Sequence, residues 1–462
     1  LHVPFLDART ANNVTAPEKI FPKLRLRPTH PMDLIIQTFR GLLGLAVFVA
    51  IAVAFSANRR AIDWRLVGVG LVLQFVFAAL VLHVGPVRWA IEGVGRFFVE
   101  LLAFTRAGTG FLFGSLIDES KHGVIFAIGI LPSIIFFSAL TSMLYYLGIL
   151  QRIVWVFAWV MTRTMKLSGA ESLSASANIF LGQTEAPLLI KPYLNAMTRS
   201  EILAVMVGGM ATVAGAVLIA FIAFLGGDDP QQKVLFATHL ITKCVISAPA
   251  ALVIAKILLP QTEPINTAME VSRDKIGANL LDAICLGTTD GIKLAVNVGG
   301  MLIVFTAFVA MANYGLDRWI GELFGLNAWV ASVTGGVFDK FSLEFILGVI
   351  FAPIAWLMGI DYGHLLQSGA LLGTRTVLNE FVAFIQLSEL KNSGAYTDPR
   401  TLVIMTYALA GFANIVSIGI QIGGIGAIAP GQRTNLATLG LKALLGGSLA
   451  CFMAAAIAGI LI

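Results

Sequence analysis

The stretch GQTEAP at residues 182–187 places an amide, a hydroxyl and a carboxylate in the middle of the long segment 169–195. Residues 361–391 form a second such segment, with a polar centre that runs from Thr376 to Glu380. A segment long enough to enter a membrane, but polar at its midpoint, suits a re-entrant hairpin that dips in and returns on the same side. We therefore predict two hairpins with polar tips.

The composition of the whole chain agrees with a membrane setting. Of its 462 residues, 57% are apolar and only 12% are charged, whereas a soluble domain carries roughly 25% charge. These values exclude a disordered protein, a coiled coil, a secreted disulfide scaffold and most cytosolic enzymes. The net charge of +5 comes from Lys and Arg between apolar runs, which is typical of cytoplasmic loops. We expect no nucleic-acid partner.

The apolar runs predict an all-α polytopic membrane protein. A spanning helix needs about 20 mostly apolar residues, and eight stretches qualify: 35–56, 66–84, 123–149, 200–225, 234–259, 280–312, 400–425 and 434–462. Three further stretches mix charged with large apolar residues and are predicted to be interfacial helices: 86–113, 150–166 and 341–359. Residues 1–31 contain no apolar run, so we expect a disordered or non-native extension before Met32.

The two hairpins belong to a repeat. The stretch AWVM at 158–161 matches AWLM at 355–358, and Glu185 and Glu380 then fall at equivalent places. Each copy reads as span, interfacial helix, hairpin, span and span. Three spans in each copy would invert the second copy relative to the first, as in many secondary transporters. The sequence is therefore predicted to divide into five parts. These are an extension (1–31), N-terminal spans with an interfacial helix (32–122), a first repeat (123–260), a linker (261–279) and a second repeat (280–462).

The acids at the hairpin tips are candidate functional residues. An ionisable group in hydrocarbon costs about 2.5–3.5 kcal/mol on insertion scales, so Glu185 and Glu380 need a reason to be there. A structural ion pair or a water-exposed hairpin is the alternative. We expect no intramembrane Arg or Lys at the hairpin tips, which disfavours an anionic substrate.

The span after each hairpin is predicted to be broken. Gly208 to Gly215 offer small residues, and Asn414 and Ser417 place polar groups on one helix face within an apolar run. Unwound backbone and half-helix ends can bind cations and polar solutes. For Thr212, a hydrogen bond to its own helix is the alternative. The groups together favour a neutral polyhydroxylated solute, with Phe412 available to pack on a planar ring.

Signatures of enzymes are missing from the sequence. It contains no Walker A lysine loop, no HExxH and no complete GxGxxG fingerprint. His239 is expected to be a packed or cavity histidine. Asp290 and Lys293, three residues apart on one helix, are expected to pair with each other or to face a polar cavity. Without an ATP site, uphill transport would draw on an ion gradient.

Three motifs carry a resemblance to a known family. GQTEAP at 182–187 resembles the first hairpin of concentrative nucleoside transporters, NEFVA at 379–383 resembles their second hairpin, and GFAN at 411–414 resembles their broken seventh span. The resemblance runs from about residue 33 to the end, and eight spans match the bacterial branch.

The resemblance implies a function and an assembly. It implies a sodium-coupled symporter in the bacterial inner membrane, surrounded by lipid, which imports nucleosides such as uridine by an elevator motion as a homotrimer. Proton coupling through Glu185 or Glu380 is the alternative, because both side chains titrate.

The resemblance also implies residue roles. The nucleoside-binding residues would be Gln183, Thr184, Glu185, Val217, Glu380, Phe412, Asn414 and Ser417. The ligands of Na+, the coupling ion, would be Asn178, the Leu181 carbonyl, Thr212 and the Val213 carbonyl. Position 212 is serine in other family members, and threonine keeps the hydroxyl.

Overall fold

The computed structural model describes residues 31–122, 125–269, 277–396 and 398–462, with residues 31–34, 119 and 120 described by their backbone alone. The expected extension before Pro31 and part of the predicted linker lie outside the described residues. The regular structure within these ranges is helical, as the sequence predicts.

The first described helices precede the repeat. These are α1 (Pro31–Ala54), α2 (Trp64–His83), α3 (Gly85–Phe113) and the short α4 (Glu119–His122). Helix α2 starts where it does because the Asp63 carboxylate accepts hydrogen bonds from the backbone N–H groups of Arg65 and Leu66, which satisfies two donors of its first turn.

The first half follows the predicted order of elements. A long helix, an amphipathic helix, a hairpin, a broken helix and an unbroken helix succeed one another. They are α5 (Phe126–Gly129) with α6 (Leu131–Tyr146), α7 (Ile149–Met165), α8 (Gly169–Ala177) with α9 (Lys191–Leu194), α10 (Arg199–Ala211) with α11 (Gly215–Gly226), and α12 (Pro230–Leu258).

The second half has the same order, with one additional short helix after its long one, so the repeated succession of elements matches the prediction, while the residue boundaries of the repeats stay a prediction. Its elements are α13 (Leu280–Gly315) with a π-helical continuation (Leu316–Glu322), α14 (Leu326–Val333), α15 (Leu343–Leu357), α16 (Leu365–Val377) with α17 (Glu380–Asn392), α18 (Pro399–Leu409) with α19 (Ile415–Ile428), and α20 (Arg433–Leu461).

Eight helical stretches among the described residues are long and apolar enough to cross a membrane, but they are not the same eight as predicted. Residues Gly85–Ile117 qualify by length and composition, so the interfacial position expected for α3 stays a prediction. The predicted span 400–425 is absent from these eight because it is broken, as expected, into two short helices, α18 and α19.

The helices differ sharply in how deeply they are packed. The apolar windows of α10–α11 and of α12 are entirely buried within the protein, whereas that of α13 is 11% buried. Helix α20 packs against α10, α12 and α18. The first broken helix and α12 therefore lie at the centre of a packed body, and α13 presents most of its apolar surface outward, where lipid or another protein chain can cover it.

A buried arginine and a half-buried lysine bind the carboxyl ends of two helices in this body. The Arg375 guanidinium, fully buried in α16, donates hydrogen bonds to the Ala408 carbonyl at 2.6 Å and to Ser448 Oγ at 3.0 Å. Lys391, in the last turn of α17, donates to the Leu225 carbonyl. These positive charges meet the negative ends of helix dipoles. The expectation that no cation accompanies the hairpin tips was therefore wrong for the second hairpin, where Arg375 lies five residues before Glu380.

Candidate functional site

The tip of the first hairpin is a turn between α8 and α9. Helix α8 starts at a capping box formed by Ser168 and Glu171. Beyond the helix, the Glu185 carboxylate accepts a hydrogen bond from the Gly182 N–H at 3.1 Å, and the Phe180 carbonyl accepts one from the Gly215 N–H at 3.1 Å. The tip is thus bonded to itself and to the start of α11.

The tip of the second hairpin is the N-terminus of α17. Asn379 caps this helix, because its Oδ1 accepts a hydrogen bond from the Val382 N–H at 3.0 Å. Glu380 is the first helical residue and is 3% exposed. The buried carboxylate therefore lies at the positive end of a helix dipole, which stabilises negative charge.

The two broken helices meet at their breaks. The first is unwound over 212–214 and the second over 410–414. The Phe412 N–H donates a hydrogen bond to the Thr212 carbonyl at 3.3 Å. Asn414 caps the second half-helix, since its Oδ1 accepts a hydrogen bond from the Ser417 N–H at 2.8 Å. The predicted breaks at both places are confirmed.

A buried hydrogen-bond network joins these pieces. Asn414 Nδ2 donates to Glu380 Oε2 at 2.7 Å, which connects the second break to the second hairpin. Gln183 Nε2 donates to Ser417 Oγ at 3.2 Å, which connects the first hairpin to the same half-helix. Ser417 Oγ accepts that bond, so its own proton is free to be donated elsewhere. Residues about 200 positions apart in sequence thus share one polar site.

Gln421 completes the network, and sequence reasoning missed it. This fully buried side chain donates through Nε2 to Gln183 Oε1 at 3.1 Å and to the Met206 carbonyl at 2.9 Å. It fixes the orientation of the Gln183 amide. One signal was available in the sequence. Gln421 follows Ser417 by four residues in an apolar run, which places both side chains on the same face of a helix.

A cavity of about 360 Å³ lies where these elements converge, within the range typical of small-molecule sites. All eight predicted nucleoside-binding residues line it: Gln183, Thr184, Glu185, Val217, Glu380, Phe412, Asn414 and Ser417. The structure brings the whole predicted set together, while the role of each residue stays a prediction. Helix α13 closes one side of the cavity with Asn297 and Met301. Sequence reasoning missed both residues, and the only available signal was the amide of Asn297 within an apolar span.

The predicted sodium ligands are buried and do not line this cavity. Asn178 and Thr212 are each 1% exposed. Both contact Gly208: the Thr212 hydroxyl donates to its carbonyl at 2.9 Å, and a β-carbon built on Gly208 would lie 3.2 Å from Asn178 Nδ2. Thr212 thus makes the bond to its own helix that was the alternative reading, and its hydroxyl lone pairs stay available to a cation.

Asn178 carries the most informative feature of this group. Its Oδ1 and its Nδ2 are buried without a hydrogen-bond partner in the described part of the chain. An unpaired buried amide is costly, so it needs an explanation. The carbonyls predicted to accompany it belong to Leu181, in the hairpin turn, and to Val213, in the first break. Amide, hydroxyl and carbonyl oxygens are the ligands that a hard cation prefers.

Two other expectations are confirmed, a packed position for His239 and the pairing of Lys293 with Asp290. His239 is buried, with Nδ1 3.3 Å from the Tyr407 hydroxyl. Lys293 Nζ lies 3.4 Å from Asp290 Oδ1, on the exposed side of α13.

The fold and site define a class of protein, a multi-pass helical membrane transporter with two hairpins that enclose a polar cavity. Comparison with known sequences narrows this class. Residues 239–459 and 43–116 match the C-terminal and N-terminal domains of Na+ dependent nucleoside transporters, and residues 127–228 match a domain described as nucleoside recognition. The chain belongs to the Na+ dependent nucleoside transporter family, whose members are transporters and not enzymes.

Individual relatives agree along nearly the whole chain. An uncharacterised transporter of Haemophilus influenzae is 40% identical over 92% of this chain and 98% of its own length. The nucleoside permease NupC of Helicobacter pylori is 38% identical over 93% of this chain and 99% of its own. The solved structure of CNTnw in an inward-facing substrate-bound state is 36% identical, has a TM-score of 0.80, and matches 92% of this chain and 98% of that one.

Proposed function

We propose that this protein imports nucleosides, uridine among them, across a bacterial inner membrane and that a sodium gradient drives the import. The observation that carries the proposal is the buried network from Glu380 through Asn414 and Ser417 to Gln183, which lines one cavity. It offers a carboxylate, two amides and a hydroxyl to a neutral solute rich in hydrogen-bonding groups. A nucleoside is such a solute.

The ribose is assigned to the second hairpin and the second break. Glu380 would accept hydrogen bonds from ribose hydroxyls, because a carboxylate only accepts. Ser417 and Asn414 would supply further polar contacts. Glu380 holds its place because Asn414 Nδ2 is bonded to one of its oxygens.

The base is assigned to the first hairpin. Gln183 and Thr184 would contact polar atoms of the base, and Glu185 would reach it partly through water. The Phe412 ring and the Val217 side chain, 1% exposed, supply apolar surface on the same cavity. An aromatic face suits a planar ring.

Sodium coupling is assigned to Asn178, Thr212 and the carbonyls of Leu181 and Val213. The unpaired buried amide of Asn178 supports this assignment. A cation held there would supply positive charge to these oxygens and fix the hairpin turn that carries Gln183. Each ligand would then raise the affinity for the other.

The transport motion and the assembly are also part of the proposal. The hairpins, the broken helices, α12 and α20 would move together in an elevator motion, which the packing of α20 against α10, α12 and α18 supports. The outward-facing apolar surface of α13 supports a partner at that surface, which we take to be the other subunits of a homotrimer together with lipid.

The test is uptake of radiolabelled uridine into proteoliposomes, with and without an inward sodium gradient at fixed pH. We expect accumulation above equilibrium only with the sodium gradient, and competition by other nucleosides. Uptake that follows an imposed proton gradient, and ignores sodium, would instead favour proton coupling through Glu185 or Glu380, which both line the cavity. Equilibration without accumulation would refute active transport.

A further inference from the structure

Lys243 lies where the two broken helices meet. This residue of α12 is fully buried. Its Nζ donates hydrogen bonds to the Ala211 carbonyl, at the end of α10, and to the Ala410 carbonyl, just beyond the end of α18. Cys451 Sγ, on α20, lies 3.6 Å from the same nitrogen. One side chain therefore joins both breaks.

The surroundings of Nζ fit a charged ammonium group. An ammonium has three N–H donors and no lone pair, and three acceptors surround this one. The two carbonyls belong to the carboxyl ends of half-helices, where the helix dipole places negative partial charge. Among the residues that the structure describes, Lys243 makes no ion pair with an acid. Backbone dipoles, rather than a carboxylate, balance its charge.

This fixed charge lies close to the proposed sodium ligands. Ala211, whose carbonyl accepts from Nζ, is followed directly by Thr212 and Val213. Because consecutive Cα atoms are about 3.8 Å apart, the ammonium and a cation at this site would be separated by roughly 10 Å or less. Both charges would be buried, so salt would screen them little.

We propose that Lys243 is a tethered cation that joins the two breaks and lowers the affinity of the neighbouring sodium site. The inference rests on the proposed sodium-coupled function. It predicts that positive charge at position 243 keeps sodium binding weak, so that the ion leaves readily after transport. At about 10 Å and an effective dielectric constant of about 20 to 40, Coulomb repulsion corresponds to a roughly 4- to 16-fold change in affinity.

The test uses three substitutions in the full-length protein. Lys243→Arg keeps the charge. Lys243→Gln removes the charge but keeps two N–H donors, and Lys243→Met removes the charge and all N–H donors. Lys233→Gln, on the same helix about 15 Å away along its axis, is the control for loss of a lysine. Sodium affinity is measured without nucleoside, from the rise in the unfolding temperature of the purified protein as sodium replaces choline.

We expect Lys243→Gln and Lys243→Met to bind sodium about 4- to 16-fold more tightly than the wild type, and Lys243→Arg and Lys233→Gln to be unchanged. Structural damage alone would weaken sodium binding, whereas loss of charge repulsion would strengthen it. The direction of the change in sodium affinity therefore separates the two explanations. Unchanged or weaker sodium binding by Lys243→Gln would overturn the inference, even if Lys243→Met fails to fold. If the wild type itself shows no response to sodium, the proposed sodium coupling fails and the inference with it.

Discussion

Replacing Glu380 by Gln tests the ribose site most directly. Asn414 Nδ2 donates to Glu380 Oε2 at 2.7 Å, and the carboxylate is 3% exposed. A glutamine has nearly the same shape, and its carbonyl oxygen can still accept the Asn414 hydrogen bond. The substitution therefore removes the charge and leaves the local packing intact.

The size of the effect follows from the hydrogen bonds that the carboxylate would make. A hydrogen bond to a charged group contributes about 1.5–3 kcal/mol, and one between neutral groups about 0.5–1.5 kcal/mol. The difference is about 1–1.5 kcal/mol for each ribose hydroxyl. For two hydroxyls it is about 2–3 kcal/mol, which corresponds to a roughly 30- to 150-fold loss of affinity.

The assay is the initial rate of radiolabelled uridine uptake over a series of concentrations at saturating sodium. We expect the KM of Glu380→Gln to rise by this factor, so that uptake at micromolar uridine is largely lost. Glu389→Gln is the matched control, because Glu389 is an exposed residue of the same helix, and its KM should not change.

Size-exclusion chromatography of both variants checks that assembly survives. A Glu380→Gln protein that assembles normally and retains the wild-type KM would refute the assignment of Glu380 to the ribose. Equal loss in Glu389→Gln would show that the assay reports general damage to the helix.

Three further substitutions test separate features. Asn178→Ala should raise the sodium concentration for half-maximal uptake at least tenfold while expression persists, because a predicted oxygen ligand is lost; an unchanged sodium response would place the ion elsewhere. Gly209→Ala should raise the uridine KM severalfold, since the new β-carbon would lie 2.8 Å from Gln183 Cβ and displace that side chain; an unaltered KM would contradict a tight contact there. Lys256→Met should lower the free energy of unfolding by about 3–5 kcal/mol, and with it the thermal unfolding temperature, because its buried partner at 2.7 Å, Glu171, loses its counter-charge; an unfolding temperature equal to that of the wild type would contradict this ion pair.

The sequence predicted the parts of the site that local pattern can reveal. A carboxylate at membrane depth is expensive enough to stand out, so Glu185 and Glu380 marked both hairpin tips. Asn414 interrupts an apolar run, and the chain does unwind just before it. In each case a polar residue is energetically costly in its own apolar segment, and that cost marks the residue as a candidate for the site.

Residues that act on a distant segment escaped prediction. Lys243 caps carbonyls that are 32 and 167 positions away in sequence, so its own helix gives no reason for its charge. Gln421 orients Gln183 from the other repeat, and Asn297 reaches the cavity from α13. Such roles depend on tertiary contacts, which periodicity and composition do not encode.

The hydrogen bond from the Phe412 N–H to the Thr212 carbonyl also bears on biosynthesis. The donor is translated about 200 residues after the acceptor, which at 5–20 residues per second takes roughly 10–40 s. Throughout that interval the Thr212 carbonyl lacks the donor that it has in the folded protein. Until the second half is made, this carbonyl needs a temporary hydrogen-bond donor, such as water, because an unsatisfied backbone group in an apolar setting is costly.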